Sequence, residues 1–105
     1  MNLLEFRSKL ISSDIDKMRN DSFFSEEVTL FNILNGYFAN TDIHNIRENY
    51  EKKNFSIDVS SEEIAVLAER NLNNQITPGA YYPLYRIGVA RVGNTLKFKL
   101  NKIRI

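Results

Sequence analysis

Apolar side chains recur at helical spacing through most of the first half of the chain and then switch to alternation. Leu3, Phe6, Leu10 and Ile11 predict a helix over about 3–11. Ser12, Ser13 and Asp14 then supply a break with capping chemistry, and Ile15 and Met18 predict a short second helix to about Arg19. The strongest helical pattern follows. Ser25 stands as its cap, Glu26 and Glu27 complement the N-terminal dipole, and Val28, Leu30, Phe31, Leu34, Tyr37 and Phe38 form the apolar stripe, ending near Ala39. Gly36 inside that stripe costs about 1 kcal/mol relative to alanine, so a close contact or an early helix end is expected there. Thr41 or Asp42 then reads as the cap of a further helix, with Ile43, Ile46 and Tyr50 on one stripe before the polar run Glu51, Lys52, Lys53.

The period changes at Phe55. Phe55, Ile57 and Val59 alternate with Ser56 and Asp58, which predicts a short strand with one buried face. Ser60 with Glu63 three residues on makes a capping box, and Ile64, Leu67, Ala68 and Leu72 continue as an amphipathic helix to Asn73 and Asn74. Pro78 and Gly79 predict a turn. Gly93 and Asn94 then separate two runs that register as a two-residue hairpin. Val92 faces Thr95 in that register, Val89 faces Phe98 and Ile87 faces Leu100, so Ile87, Val89, Leu96, Phe98 and Leu100 share a core face. Arg86, Lys97 and Lys99 share the other face with Gly88 and Ala90. Ile103 and Ile105 fall out of phase with Leu100, which predicts a bulge near Asn101 or Lys102. The expected fold is therefore one α+β domain over 1–105, with four to five short helices packed on a small, mainly antiparallel sheet that ends in a C-terminal β-hairpin.

Charge divides the chain differently. All thirteen acidic residues lie between Glu5 and Glu69, against seven basic ones, so this part carries −6; seven further basic residues from Arg70 on carry +7, and the formal net charge is +1. Such a domain can offer a negative face to one partner and a positive face to another. The 105 residues suffice for one core. The chain has no cysteine, which removes disulfides and thiolate metal sites and fits a reducing cytoplasm but equally many secreted bacterial proteins. No apolar run approaches the ~18 residues of a membrane span, and the acidic Glu5 argues against a signal peptide, so a soluble chain without membrane partners is expected. Thirteen asparagines, with many lysines and isoleucines, suggest an AT-rich gene of mobile or phage-derived bacterial DNA.

No residue constellation names a reaction. His44 is the single histidine, without a second at metal-ligand spacing, and reads as an ordinary surface residue. There is no Gly-x-Ser-x-Gly elbow and no phosphate-cradling glycine loop. The pairs Glu26 with Glu27 and Glu62 with Glu63 are adjacent and so point to different helix faces. Catalytic, cofactor and metal sites are accordingly expected to be absent. Two binding surfaces compete instead. The first is acidic: Glu26, Glu27, Glu48, Glu51, Glu62, Glu63 and Glu69, of which the four helix-start acids Glu26, Glu27, Glu62 and Glu63 are also explained by capping, leaving Glu48, Glu51 and Glu69 as the better candidates. The second is basic: Arg86, Arg91, Lys97, Lys99, Lys102 and Arg104, with Tyr81, Tyr82 and Tyr85 as aromatic platforms for unstacked bases. The chain lacks an RNP-type aromatic signature and a Gly-x-x-Gly clamp.

In length, cysteine-free single-domain build, AT-rich character and lack of catalytic groups, the chain resembles the small bacterial immunity proteins that neutralise contact-dependent inhibition toxins and colicin-like nucleases. The resemblance spans the whole chain but carries no diagnostic motif, so no functional residue transfers. It implies a cytoplasmic, non-enzymatic inhibitor that binds one cognate protein toxin, a nuclease foremost, and occludes its active site. The partner-binding residues are then Glu26, Glu27, Glu48, Glu51 and Glu69. The alternative is a small nucleic-acid-binding protein of phage or plasmid origin that uses Arg86, Lys97, Lys99 and Tyr85.

Overall fold

A computed structural model describes residues 1–12, 22–77 and 84–103. The expected short helix through Ile15, Met18 and Arg19 lies outside the described residues, as do the turn at Pro78 and Gly79, the tyrosines Tyr81 and Tyr82, and Arg104 and Ile105.

Among the described residues there are three α-helices: α1 (Leu3–Ile11), α2 (Ser22–Tyr37) and α3 (Glu62–Leu72). Four strands form one antiparallel sheet: β1 (Ile43–Asn49), β2 (Asn54–Val59), β3 (Tyr85–Val92) and β4 (Thr95–Lys102), in the order β1-β2-β4-β3. This is an α+β architecture. Helix α1 starts on a capping box in which the Asn2 side chain accepts from the Glu5 amide and Glu5 accepts from the Asn2 amide. Helix α3 starts one residue later than the sequence pattern implies, because the Ser61 hydroxyl, not that of Ser60, accepts from the Ile64 amide. Glu62 and Glu63 do stand in its first turn.

Helix α2 begins at Ser22, three residues before the expected cap, so Glu26 and Glu27 lie beyond its first turn and the dipole argument does not apply to them. Ser25 is instead a helix residue whose hydroxyl accepts from the Tyr85 hydroxyl at 3.0 Å. The helix ends at Tyr37, directly after Gly36, whose missing side chain faces no neighbour within 4 Å; the early end is present and the close contact is not.

The expected helix over Ile43, Ile46 and Tyr50 is a strand. Asp42 caps only a short 3-10 turn, Asn40–Asp42, and β1 follows at once. The register shifts between Ile43 and Asn45, a bulge that puts an extra residue between two inward positions. Ile43 and Ile46 thus both point into the core at a spacing of three, which imitates a helical stripe. The Asn49 side chain accepts from the Lys52 amide, and Lys53 adopts φ 51°, closing the turn into β2.

The C-terminal hairpin has the expected register. Val92 pairs Thr95, Val89 pairs Phe98 and Ile87 pairs Leu100. Gly93 takes φ 62°, the left-handed value a primed two-residue turn requires. The expected bulge near Asn101 or Lys102 is absent, since the ladder runs unbroken to Arg86 opposite Asn101 and Tyr85 opposite Lys102. Phe55 and Phe98 sit opposite each other on the two central strands, both fully buried. Around them Ile46, Ile57, Val59, Ile87, Val89, Leu96 and Leu100 meet Leu3, Phe6, Leu10, Leu30, Leu34, Ala65 and Ala68 from the helices in one core. No helix of the described residues is long and apolar enough to cross a membrane.

Candidate interface on the open face of the sheet

Because strand side chains alternate, the same register that fills the core sends Arg47, Ser56, Lys97 and Ala90 outward in one cross-strand row. Lys99 and Gly88 form a neighbouring pair, and Arg86 lies beyond them opposite Asn101. Arg47, Arg86, Ala90, Lys97 and Lys99 are all exposed, so among the described residues nothing covers this face. Neighbouring strands lie ~4.8 Å apart and residues two apart on one strand ~6.8 Å apart, which sets the spacing of the cations on a stiff frame. Between the long side chains the surface dips to Ser56, Gly88 and Ala90. A shallow depression of about 250 Å³ opens beside Arg47, Asn49, Lys52, Asn54, Ser56 and Lys97.

Acidic compensation on this face is small. Asp58 accepts from the Arg47 guanidinium at 2.9 Å and from the Thr95 hydroxyl at 2.6 Å. Arg86 donates to the Asn74 carbonyl at 3.0 Å, which orients the guanidinium without neutralising it. Lys97 and Lys99 add further positive charge at the centre, with Glu26 close enough to Lys99 to feel its charge. Arg91, at the hairpin tip, is spent differently: it meets Glu62 at 3.1 Å and Glu69 at 3.9 Å.

The β3 edge of the sheet is occupied along its length and the β1 edge at Ile46. Along β3, the Tyr85 amide donates to the Thr77 hydroxyl and the Thr77 amide to the Tyr85 carbonyl; the Ile87 amide donates to the Gln75 carbonyl and the Asn74 amide to the Ile87 carbonyl. The Val89 amide then donates to the Asn73 side chain and the Arg91 amide to the Glu69 carboxylate. The segment after α3 thus satisfies the strand as a fifth one would, and Thr77 is buried in doing so. On β1, Ile46 and Met1 exchange main-chain hydrogen bonds, at 2.6 Å from the Ile46 amide and 3.1 Å from the Met1 amino group, which also donates to the Asn45 side chain. A partner adding a strand to either edge would have to displace these bonds.

The acidic candidates are not gathered on one surface. Glu51 is exposed in the β1–β2 turn. Glu69 holds the Arg91 amide at the β3 edge. Glu26 is half-buried with one carboxyl oxygen lacking a partner; burial raises its pKa, against the pull of Lys53 and Lys99. Glu27 and Glu48 come together inside the protein, each side chain only 4% exposed, on Lys9 of α1. Lys9 stands 3.1 Å from Glu27, 2.8 Å from Glu48 and 2.6 Å from the Tyr50 hydroxyl. Burial raises the Glu27 pKa to about 7, helped by hydrogen-bonding contact with Glu48 and opposed by Lys9. For Lys9, burial works against the charge, but hydrogen bonds to Glu48, Tyr50 and Glu27 prevail and raise its pKa.

Of the basic candidates, Arg86, Lys97 and Lys99 share the open face, whereas Arg91 is held by Glu62 and Glu69 and Lys102 stands opposite Tyr85. Tyr85 is 3% exposed and bonded to Ser25, so it belongs to the core side. His44 is exposed on β1. Arg47 and Lys52, which flank the depression, belong to the acidic half of the chain and were hidden by reading β1 as a helix. A larger hollow of about 510 Å³ lies elsewhere, between the start of α1 and the end of α2, lined by Leu4, Arg7, Phe31 and Asn35 among others, and includes none of these candidates. No group of three or more potential metal-ligating residues occurs among the described residues. In comparisons with known proteins, no family model, no curated protein and no solved structure matches this chain.

Proposed function

We propose that this is a non-enzymatic binding protein of the immunity type, which neutralises a cognate protein toxin by covering its active site, and that the covering surface is the open sheet face. The observation that carries the reading is the uncovered, cationic outer face, with Arg47, Arg86, Lys97 and Lys99 on a frame already hydrogen-bonded along its β3 edge and at Ile46 on its β1 edge. A face on a rigid sheet loses little freedom on docking, which favours affinity. Its charge calls for a partner surface rich in carboxylates. The acidic helical interface loses support, because Glu27 and Glu48 are consumed by Lys9 and Glu69 by the β3 edge. A toxin encoded beside this gene should arrest growth when expressed alone and should be silenced by co-expression of this protein. Silencing should fail with Lys97→Glu combined with Lys99→Glu. Growth arrest that this protein never relieves overturns the reading.

Nucleic acid is the second reading, favoured by the same exposed cations. The outward positions of the described strands carry no aromatic side chain on which bases could stack. Oligonucleotides, single-stranded or duplex, should therefore fail to shift at ~50 mM salt, where phosphate contacts are least screened. A shift that weakens steeply with salt, and less steeply in Lys97→Ala with Lys99→Ala, would replace the toxin reading by this one.

A further inference from the structure

The Lys9 cluster sets two carboxyl groups against one ammonium in a buried place. Glu27 and Glu48 each have a side chain 4% exposed, and Lys9 bonds one oxygen of each. The other oxygen of Glu48 is buried and finds no hydrogen-bond donor among the groups around it. Both carboxylates reach the same ammonium from buried positions, so two full negative charges would face each other with one positive charge between them. A proton on the pair relieves the excess charge and can supply the missing donor. We infer that Glu27 and Glu48 share one proton beside the partly exposed Lys9, and that this triad is a pH-sensitive latch tying α1, α2 and β1 together at one corner of the fold.

Among the described residues, two helices, a strand and a turn meet at that corner. Helix α1 supplies Lys9, α2 supplies Glu27, β1 supplies Glu48 and the β1–β2 turn supplies Tyr50, whose hydroxyl bonds Lys9 and whose ring stands 5.1 Å from that of Phe23. Glu26, next on α2, is raised by burial and feels the charges of Lys53 and Lys99, which oppose that rise. With the proton in place the site holds one negative and one positive charge. Without it, one negative charge is buried in excess, and the cheapest relief is to let water reach the cluster by loosening α1 or the turn.

The direction with pH follows. The folded protein holds the proton up to about 7, while an unfolded glutamate releases it near 4.5. Between those values the folded state binds more protons, so stability is fully present below the lower one and is lost as pH rises through the upper one. Glu26, also raised by burial, acts in the same direction.

The test uses the whole chain and three readouts. Denaturant titrations should show the unfolding constant rising with pH by up to about tenfold per unit across this window. Glu27→Gln, whose amide keeps the donor at every pH, should remove most of that rise. Carbon-detected NMR of the glutamate carboxyls should find one signal from this pair with a midpoint near neutrality. Amide protection in α1 and residues 50–53 should fall from pH 6 to pH 8 more than in the β3–β4 hairpin, after correction for intrinsic exchange. A flat wild-type profile, an unchanged slope in a folded Glu27→Gln protein, or Glu27 and Glu48 signals that both titrate in the ordinary carboxylate range would each overturn the latch. The NMR titration of the wild type decides the matter if the variant does not fold.

Discussion

Arg47 and Glu48 are neighbours on one strand and meet opposite fates. The Arg47 side chain is 54% exposed on the outer face of the sheet, lightly engaged by Asp58, while the Glu48 side chain is 4% exposed on the inner face and held by Lys9. The same contrast runs across all four strands. Inward positions carry Phe55, Ile57, Leu96 and Phe98 with one ionic cluster at the rim, and outward positions carry mainly cations, amides and small residues, with Asp58 and Val92 among them. An inward charge must find its partner within the protein, because desolvation is otherwise too costly, whereas an outward charge stays available. The division of the chain into an acidic part and a basic part therefore does not become a division of its surface. The acids are partly used up inside, and the cations remain.

If the faces differ in this way, substitutions on them should separate stability from binding. The largest effect belongs to the inner face. Phe98→Ala should cost about 3 to 5 kcal/mol in denaturant unfolding, because Phe98 is fully buried against Phe55 and leaves a cavity. Lys97→Ala and Lys99→Ala, on either side of it, should each stay within about 0.5 kcal/mol of wild type. A core-sized loss from either lysine would break the comparison.

Removing the cation of the inner cluster comes next. Lys9→Met leaves two buried carboxyls without their ammonium and should cost about 2 kcal/mol at pH 8, below the figure for a fully buried pair because Lys9 is partly exposed. The loss should shrink at pH 5, where Glu27 is protonated. An equal loss at both pH values would show that the lysine stem, not its charge, holds the corner.

The edge of the sheet should give a smaller effect than the loss of Phe98 or of the Lys9 charge. Asn73→Ala removes the side-chain acceptor of the Val89 amide and should cost about 1 kcal/mol, with faster exchange of that amide. Unchanged exchange at Val89 would mean that the edge is not closed by this residue.

How far the sequence discloses these regions depends on the range of the interactions involved. The hairpin is legible because turn and pattern are local: Gly93 and Asn94 set the register, and alternation on both arms agrees with it. The same register puts Lys97, Lys99 and Arg86 on one face. It also puts Tyr85 in phase with Ile87, so the burial of that tyrosine was available from parity alone. Strand β1 is not legible, since its bulge converts inward alternation into the spacing of three that marks a helix, and Arg47 is lost with it. The Glu27–Lys9–Glu48 cluster joins residues 18 and 39 positions apart, and nothing in the local pattern of α1, α2 or β1 announces it. The start of α2 at Ser22 shows a similar limit, because Ser25, Glu26 and Glu27 make a convincing cap that the helix passes through.

The central claim is that the outer sheet face is the working surface. Its most direct test is the affinity of Lys97→Glu with Lys99→Glu for the toxin that the wild type neutralises, measured by surface binding kinetics beside thermal melts of both proteins. The account predicts an unchanged melt and at least about a tenfold loss of affinity, a difference of ~1.4 kcal/mol or more, with slower association at low salt. Wild-type affinity in the reversed protein, with Glu51→Lys the variant that loses it, would move the interface to the acidic side and contradict the account.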